Sequence, residues 1–170
     1  MRVGVISLII LLNIVIETTI MPFLSINGVI PDFMLSFIVS FGLLGGNPIA
    51  PIIGFCAGLV YDMTMGAVIG IYALGYMIIG FIIGAIEDSI YVDSFIVPMA
   101  LAMVAAVFKE LIILIYTYIY GMDVSFFNLL LWRIIPHAIL TAIATPLILF
   151  IMGRLYRYKF MTKRWKFRDS

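Results

Sequence analysis

The sequence predicts an all-α bundle of about six helices that crosses a membrane. Of its 170 residues, 65% are hydrophobic and only 11% are charged, whereas soluble domains carry about 25% charged residues. The apolar residues fall into long runs that glycine, proline and acidic residues separate. Seven of the ten lysines and arginines follow residue 153. Together these three observations indicate a polytopic membrane protein with an asymmetric charge distribution.

The first two predicted spans cover residues 3–24 and 31–44. The first is about 33 Å long at 1.5 Å per residue, which suffices for a hydrocarbon core of about 30 Å. It has the outline of a secretory signal, but no small-residue cleavage site follows, so we expect it to remain as a span. Pro31 and Asp32 favour a helix start, because proline lacks an amide hydrogen and aspartate complements the helix dipole.

The third and fourth predicted spans, residues 48–62 and 66–86, hold most of the glycines. We predict that Asp62 ends the third span at the outer surface, that the segment DMTMG forms a tight turn, and that Asn47 lies at the cytoplasmic end. The second and third spans extend only about 21 Å. Either the bilayer thins around them or they form a re-entrant hairpin, and both alternatives remain open.

The fifth and sixth predicted spans cover residues 95–120 and 129–153, and three tyrosines near residue 120 suggest an interfacial belt. The basic end belongs in the cytoplasm by the positive-inside rule, and an even number of spans places Arg2 there too. The sequence therefore predicts one transmembrane domain, residues 1–153, followed by a basic cytoplasmic tail, residues 154–170, with both termini cytoplasmic.

Small residues four positions apart recur along the chain and allow helices to approach closely. The alternatives are packing within the bundle and a docking face for another membrane protein. The glycines of this pattern in and around the third and fourth spans are Gly54, Gly58, Gly66, Gly70, Gly80 and Gly84.

Ionisable residues inside the spans predict a buried polar network, because each costs about 2.5 to 3.5 kcal/mol at the bilayer centre unless it is paired or hydrated. Their predicted depths of about 6 to 16 Å place them all in the outer half of the membrane. We expect Arg133 to pair with Glu17, and Glu110 to face His137. A structural network, a contact with a partner's membrane helix and a path for protons or solutes remain open. The predicted members are Glu17, Lys109, Glu110, Arg133 and His137.

Nothing in the sequence suggests an enzyme, a cofactor or a metal site. No nucleophilic and acidic side chains are placed to form a catalytic triad with the single histidine, and no cluster of histidines and carboxylates has metal-ligand spacing. The basic tail directly follows a span, so we expect it to meet anionic lipid headgroups rather than nucleic acid. Its basic residues are Arg154, Arg157, Lys159, Lys163, Arg164, Lys166 and Arg168.

Several segments carry a more specific pattern. They begin with the Pro31-Asp32 opening, continue through the Gly-x3-Gly-x3-Asp stretch that ends at Asp62, and include Gly70-Ile-Tyr72 and the Pro146 segment before the basic end. With this pattern the chain resembles the bacterial MreD family of rod shape-determining proteins over most of its length.

The resemblance implies a multi-pass protein of the bacterial cytoplasmic (inner) membrane that binds MreC. It further implies an elongation complex, the elongasome, with RodA, a class B penicillin-binding protein and, beneath the membrane, MreB filaments. The implied role is a non-catalytic scaffold for lateral peptidoglycan synthesis and rod cell shape. The family's fold is also similar to that of the substrate-binding subunits of energy-coupling-factor transporters. An alternative function is therefore a small-solute-binding subunit of such a transporter, with Asp32, Asp62 and Asp123 near its mouth.

Overall fold

A computed structural model of the chain shows an all-α bundle, which confirms the predicted fold class. It describes residues 2–19, 29–65, 68–89, 95–121 and 130–156, together with Phe23 and Ser25. The six α-helices of this part of the chain are α1 (Arg2–Thr19), α2 (Phe33–Gly45), α3 (Ile49–Met65), α4 (Ile71–Ile86), α5 (Ile96–Ile119) and α6 (Ile135–Tyr156). A 3₁₀ turn, Glu87–Ser89, extends α4, and a π-helical turn, Leu130–Ile134, leads into α6.

Three of these helical segments are long and apolar enough to cross a membrane: Ile71–Ser89, Ile96–Ile119 and Trp132–Leu155. The apolar segments of α1, α2 and α3 are shorter. With 13 residues, α2 extends only about 20 Å, as expected for the second span. The first helix ends at Thr19, and most of its predicted extension to Leu24 lies outside the described residues.

Helix α2 forms the centre of the bundle. Asp32 caps its first turn, where the carboxylate accepts a hydrogen bond of 2.6 Å from the backbone N–H of Leu35. Every residue from Met34 to Leu43 is buried, and α2 contacts each of the other five helices. A helix that is apolar all round is stable only when neighbours cover it on every side. The shortest helix is therefore enclosed by protein, which places the Asp32 end deep within the bundle.

The turn between α3 and α4 lies later than the sequence predicted. Helix α3 continues through Asp62 to Met65, and α4 begins at Ile71 after Gly70, whose φ of +113° suits glycine. The prediction that Asp62 ends the third span is wrong, because α3 continues for three residues beyond it. The Asp62 side chain instead caps the start of the next helix. The carboxylate accepts hydrogen bonds of 2.8 to 3.1 Å from three backbone amides at the start of α4, those of Gly70, Tyr72 and Ala73.

Four of the predicted packing glycines are in close contact, three where α3 and α4 touch and one at the turn before α3. A Cβ atom on Gly80 would lie 2.7 Å from the carbonyl oxygen of Ala50, and one on Gly54 or Gly58 would collide with the backbone of α4. A Cβ on Gly84 would meet Asn47 at 2.8 Å. Gly54, Gly58 and Gly80 therefore pack the two helices backbone to backbone, whereas Gly84 packs α4 against the turn before α3.

The other two glycines of that set behave differently. No atom would lie within 4 Å of a Cβ on Gly70, so it does not pack against another described helix, and its positive φ explains the glycine. The alternative of a docking face for a partner stays a prediction. Gly66 lies outside the described residues.

Candidate functional site

A buried ion pair joins α2 to α5 at the start of α2. The Nζ atom of Lys109 lies 2.7 Å from Oδ2 of Asp32, and the two side chains are only 5% and 2% exposed. The hydroxyl of Tyr76 donates to the same oxygen at 2.8 Å, while the other carboxylate oxygen caps α2. A buried carboxylate is tolerated when several donors surround it. Asp32 therefore holds three helices together.

Glu110 extends this pair towards α6. Its Oε1 atom lies 3.2 Å from Nζ of Lys109 and 3.8 Å from Nδ1 of His137. The Lys109 ammonium also lies 5.6 Å from the centre of the Tyr72 ring, within the range of a cation–π interaction. Asp32, at 2.7 Å, lies closer to the Lys109 ammonium than Glu110 does. Glu110 faces His137, as the sequence analysis expected.

These groups surround a polar cavity of about 280 Å³ at the end of the bundle where α2 and α4 begin. All five residues of the predicted network line it. With Asp32 included, the lining has three carboxyl groups and two permanent cations, so its net formal charge is −1 when His137 is neutral. The lining residues are Glu17, Val29, Ile30, Asp32, Tyr61, Tyr72, Lys109, Glu110, Arg133 and His137.

The expected pair between Arg133 and Glu17 is not formed. Among the described residues no ion pair joins Arg133 to a carboxylate, and its side chain is exposed at the edge of the cavity. One carboxyl oxygen of Glu17, Oε2, is buried without a hydrogen-bond partner in the part of the chain that the structure describes. Arg133 belongs to the π-helical turn, and its wider winding changes the direction of the side chain from that expected of a regular α-helix. The two charges line the same cavity without meeting.

Sequence reasoning missed two rows of polar side chains that join α2 and α6 below the cavity. The Ser36 hydroxyl donates to the carbonyl of Asp32 at 3.0 Å and accepts from the Thr145 hydroxyl at 3.0 Å. The Thr141 hydroxyl accepts from the backbone N–H of Asp32, also at 3.0 Å. The available signal was a four-residue spacing on both helices, which places each row on one face. The rows are Asp32, Ser36 and Ser40 on α2, and His137, Thr141 and Thr145 on α6.

The remaining predicted residues are spread over the fold. Tyr72 lines the cavity, and Pro146 is half-buried within α6. Arg154 is exposed near the end of α6, with its guanidinium 5.1 Å from the centre of the Phe150 ring. The other six basic residues of the tail and Asp123 lie outside the described residues. Within the described part, no group of three or more His, Cys, Asp or Glu residues could hold a metal ion.

Apolar side chains cover much of the outer surface of the helices. On α1, for example, Leu8, Leu11, Leu12 and Val15 are each more than half exposed, although hydrocarbon side chains of a soluble protein prefer the interior. Such a surface suits a lipid environment. The fold and the cavity thus define an all-α membrane protein with a polar cluster enclosed by apolar helices.

Comparison with known proteins identifies the family. The model for rod shape-determining protein MreD matches residues 1–159, so the chain belongs to the MreD family and the predicted family is confirmed. Over 150 residues the chain is 25% identical to rod shape-determining protein MreD of Bacillus subtilis strain 168, a match that covers 88% of this chain and 85% of that protein. No solved structure matches the chain. The likeness to transporter subunits stays a prediction.

Proposed function

We propose that this rod shape-determining membrane protein is a non-catalytic scaffold that binds MreC in the bacterial cytoplasmic membrane. The observation that carries the proposal is the family match over residues 1–159. The family is one of shape-determining proteins, as its description states. In this role the protein supports lateral peptidoglycan synthesis by holding its partners together.

The architecture suits a scaffold because its helices are fixed to one another by different means. Backbone contact at Gly54 and Gly80 joins α3 to α4, whereas the pair of Asp32 and Lys109 joins α2 to α5. Both kinds of contact allow little sliding, since the glycines leave no gap and the buried charges need their partners. A partner helix that binds the outside of this bundle therefore meets a rigid surface.

The wider assembly follows from the same proposal. Through MreC the protein joins RodA and a class B penicillin-binding protein, with MreB filaments as an indirect partner beneath the membrane. The basic tail that begins at Arg154 binds anionic lipids, at about 1 kcal/mol for each Lys or Arg near the surface. Both termini lie in the cytoplasm.

This topology has a direct test at Asn47. The residue is exposed in the turn between α2 and α3, where its side-chain amide donates to the carbonyl of Phe81 at 3.2 Å. With Asn47→Cys in a Cys56→Ala background, we expect a thiol reagent to label the protein from the cytoplasmic side. Labelling only from outside the cell would contradict the topology, and no labelling from either side would favour a re-entrant hairpin.

A second candidate function is the small-solute-binding subunit of an energy-coupling-factor-type transporter. The observation in its favour is the polar cavity of about 280 Å³, because a solute-binding subunit needs convergent polar groups around an enclosed space. A scaffold does not require that cavity.

Co-purification of the full-length chain from native membranes separates the two candidates. The scaffold predicts MreC in stoichiometric yield, with RodA and the penicillin-binding protein in smaller amounts. Recovery of an ATPase module together with a bound vitamin, without MreC, would overturn it. A matched sample that carries Asp88→Asn, an exposed change in the 3₁₀ turn after α4, controls for the effect of altering surface charge.

A further inference from the structure

The polar cavity is lined by two ionisable groups of opposite sign that form no ion pair within the described residues. Asp32, Lys109 and Glu110 satisfy one another at 2.7 and 3.2 Å. Glu17 and Arg133 line the same cavity but form no ion pair with each other or with the other described residues. A carboxyl group inside the cavity and a guanidinium at its edge, neither in an ion pair with a described residue, together match a molecule that carries both charges.

Buried polar atoms around the cavity support the same conclusion. Oε2 of Glu17 and Nδ1 of His137 are buried, and neither has a hydrogen-bond partner among the described residues. Most buried polar atoms in proteins do have a partner, so each exception needs an explanation. Both residues line the cavity, where a bound donor could reach them.

We propose that the cavity binds a small zwitterion with one ammonium and one carboxylate group, the chemistry of an amino acid. The ammonium donates to Glu17, and Arg133 binds the carboxylate, for which its planar fork of donors is suited. The rings of Tyr61 and Tyr72, whose centres lie 4.8 Å apart, line the same cavity and offer aromatic faces to a cation. The proposal depends neither on MreC binding nor on transport.

The size of the cavity limits the ligand. The volume of the cavity is about 280 Å³. It lies just below the range of about 300 to 1,000 Å³ that is typical of sites for drug-sized molecules. The cavity therefore has room for a molecule of amino-acid size.

A zwitterion and two smaller molecules that each keep one of its charged groups separate the contributions of the two charges. The full-length chain in nanodiscs of neutral lipid is titrated calorimetrically with β-alanine, ethylamine and propionate, which present both charges, the ammonium alone and the carboxylate alone. A charge-assisted hydrogen bond is worth about 1.5 to 3 kcal/mol, so we expect β-alanine to bind at least about tenfold more tightly than either of the others.

Two variants assign the charges to residues. Glu17→Gln should weaken β-alanine binding about tenfold or more and leave propionate unchanged, whereas Arg133→Gln should weaken β-alanine and leave ethylamine unchanged. Asp88→Asn, outside the cavity lining, should change none of the three affinities.

The proposal is overturned if no probe binds at about 10 mM, tenfold above a weak Kd of about 1 mM. It is overturned equally if the three probes bind alike, or if neither cavity variant changes the affinity for β-alanine. Should Glu17→Gln fail to fold, the ranking of the probes on the unaltered chain still decides. MreC recovery from native membranes is a separate readout, so failure here leaves the scaffold proposal intact.

Discussion

Replacement of Lys109 by methionine should destabilise the bundle strongly, because it leaves the Asp32 carboxylate buried without a cation. The Lys109 ammonium lies 2.7 Å from Asp32, and both side chains are at most 5% exposed. Removal of one partner from a buried ion pair costs about 3 to 5 kcal/mol. Since Tyr76 and the Leu35 amide still donate to the carboxylate, we expect a loss near the lower limit, about 3 kcal/mol.

Asp32→Ala should cost more than Lys109→Met, because Asp32 also caps α2 and accepts from Tyr76. The cap adds about 1 kcal/mol, which brings the expected loss to about 4 kcal/mol or more. In the double variant the orphaned charge of Asp32 is gone, although Glu110 still lacks the Lys109 ammonium. The double variant should therefore be more stable than the sum of the single changes predicts, by at least about 1 kcal/mol.

The assay is the free energy of unfolding of the full-length chain in mixed micelles, followed by circular dichroism as the denaturing detergent increases. Asp88→Asn, an exposed change at Asp88, should stay within about 0.5 kcal/mol of the unaltered chain. If the two single changes add within about 0.5 kcal/mol in the double variant, Asp32 and Lys109 are not coupled and the proposed centre of the site is wrong.

Three further changes test the packing of α3 and α4 by the same unfolding assay. Gly58→Leu should destabilise the protein by at least about 1 to 3 kcal/mol because the leucine side chain would collide with the backbone of α4. The control is Gly153→Ala, which should be neutral or slightly stabilising because nothing lies within 4 Å of the added atom. Asp62→Ala should cost about 2 kcal/mol, since three amides of the α4 start lose their acceptor. Gly70→Ala should cost about 1 to 2 kcal/mol because alanine resists a φ of +113°. A neutral outcome for any of the three destabilising changes would refute the contact or the backbone conformation on which its prediction rests.

Composition and local chemistry were enough to predict much of the fold. Long apolar runs set the number and order of the helices, and Pro31-Asp32 correctly marked the start of α2, because a proline and a capping carboxylate act within one turn. The turn after α3 was predicted too early, because its position depends on a contact between residues that are further apart in the sequence. Asp62 caps amides eight to eleven residues ahead of it, and such a contact depends on how the chain folds back.

For the site, the sequence indicated which residues come together but not how they pair. Distance along a helix follows from residue number, and this distance predicted similar depths in the membrane for Glu17, Lys109 and His137. Direction around the helix depends on packing, and the π-helical turn that holds Arg133 changes it locally. Asp32 was missed as a member of the network because its role as a helix cap already accounted for its charge.

The most direct test of the scaffold role is binding between purified components. Full-length MreC from the same organism is added to the full-length chain in nanodiscs, and the complex is isolated and its composition measured by mass spectrometry. The proposed function predicts a stable complex with a fixed ratio of the two proteins, which the Asp88→Asn variant retains. If MreC and the chain elute separately while both remain folded, the protein does not hold MreC and the central proposal is contradicted.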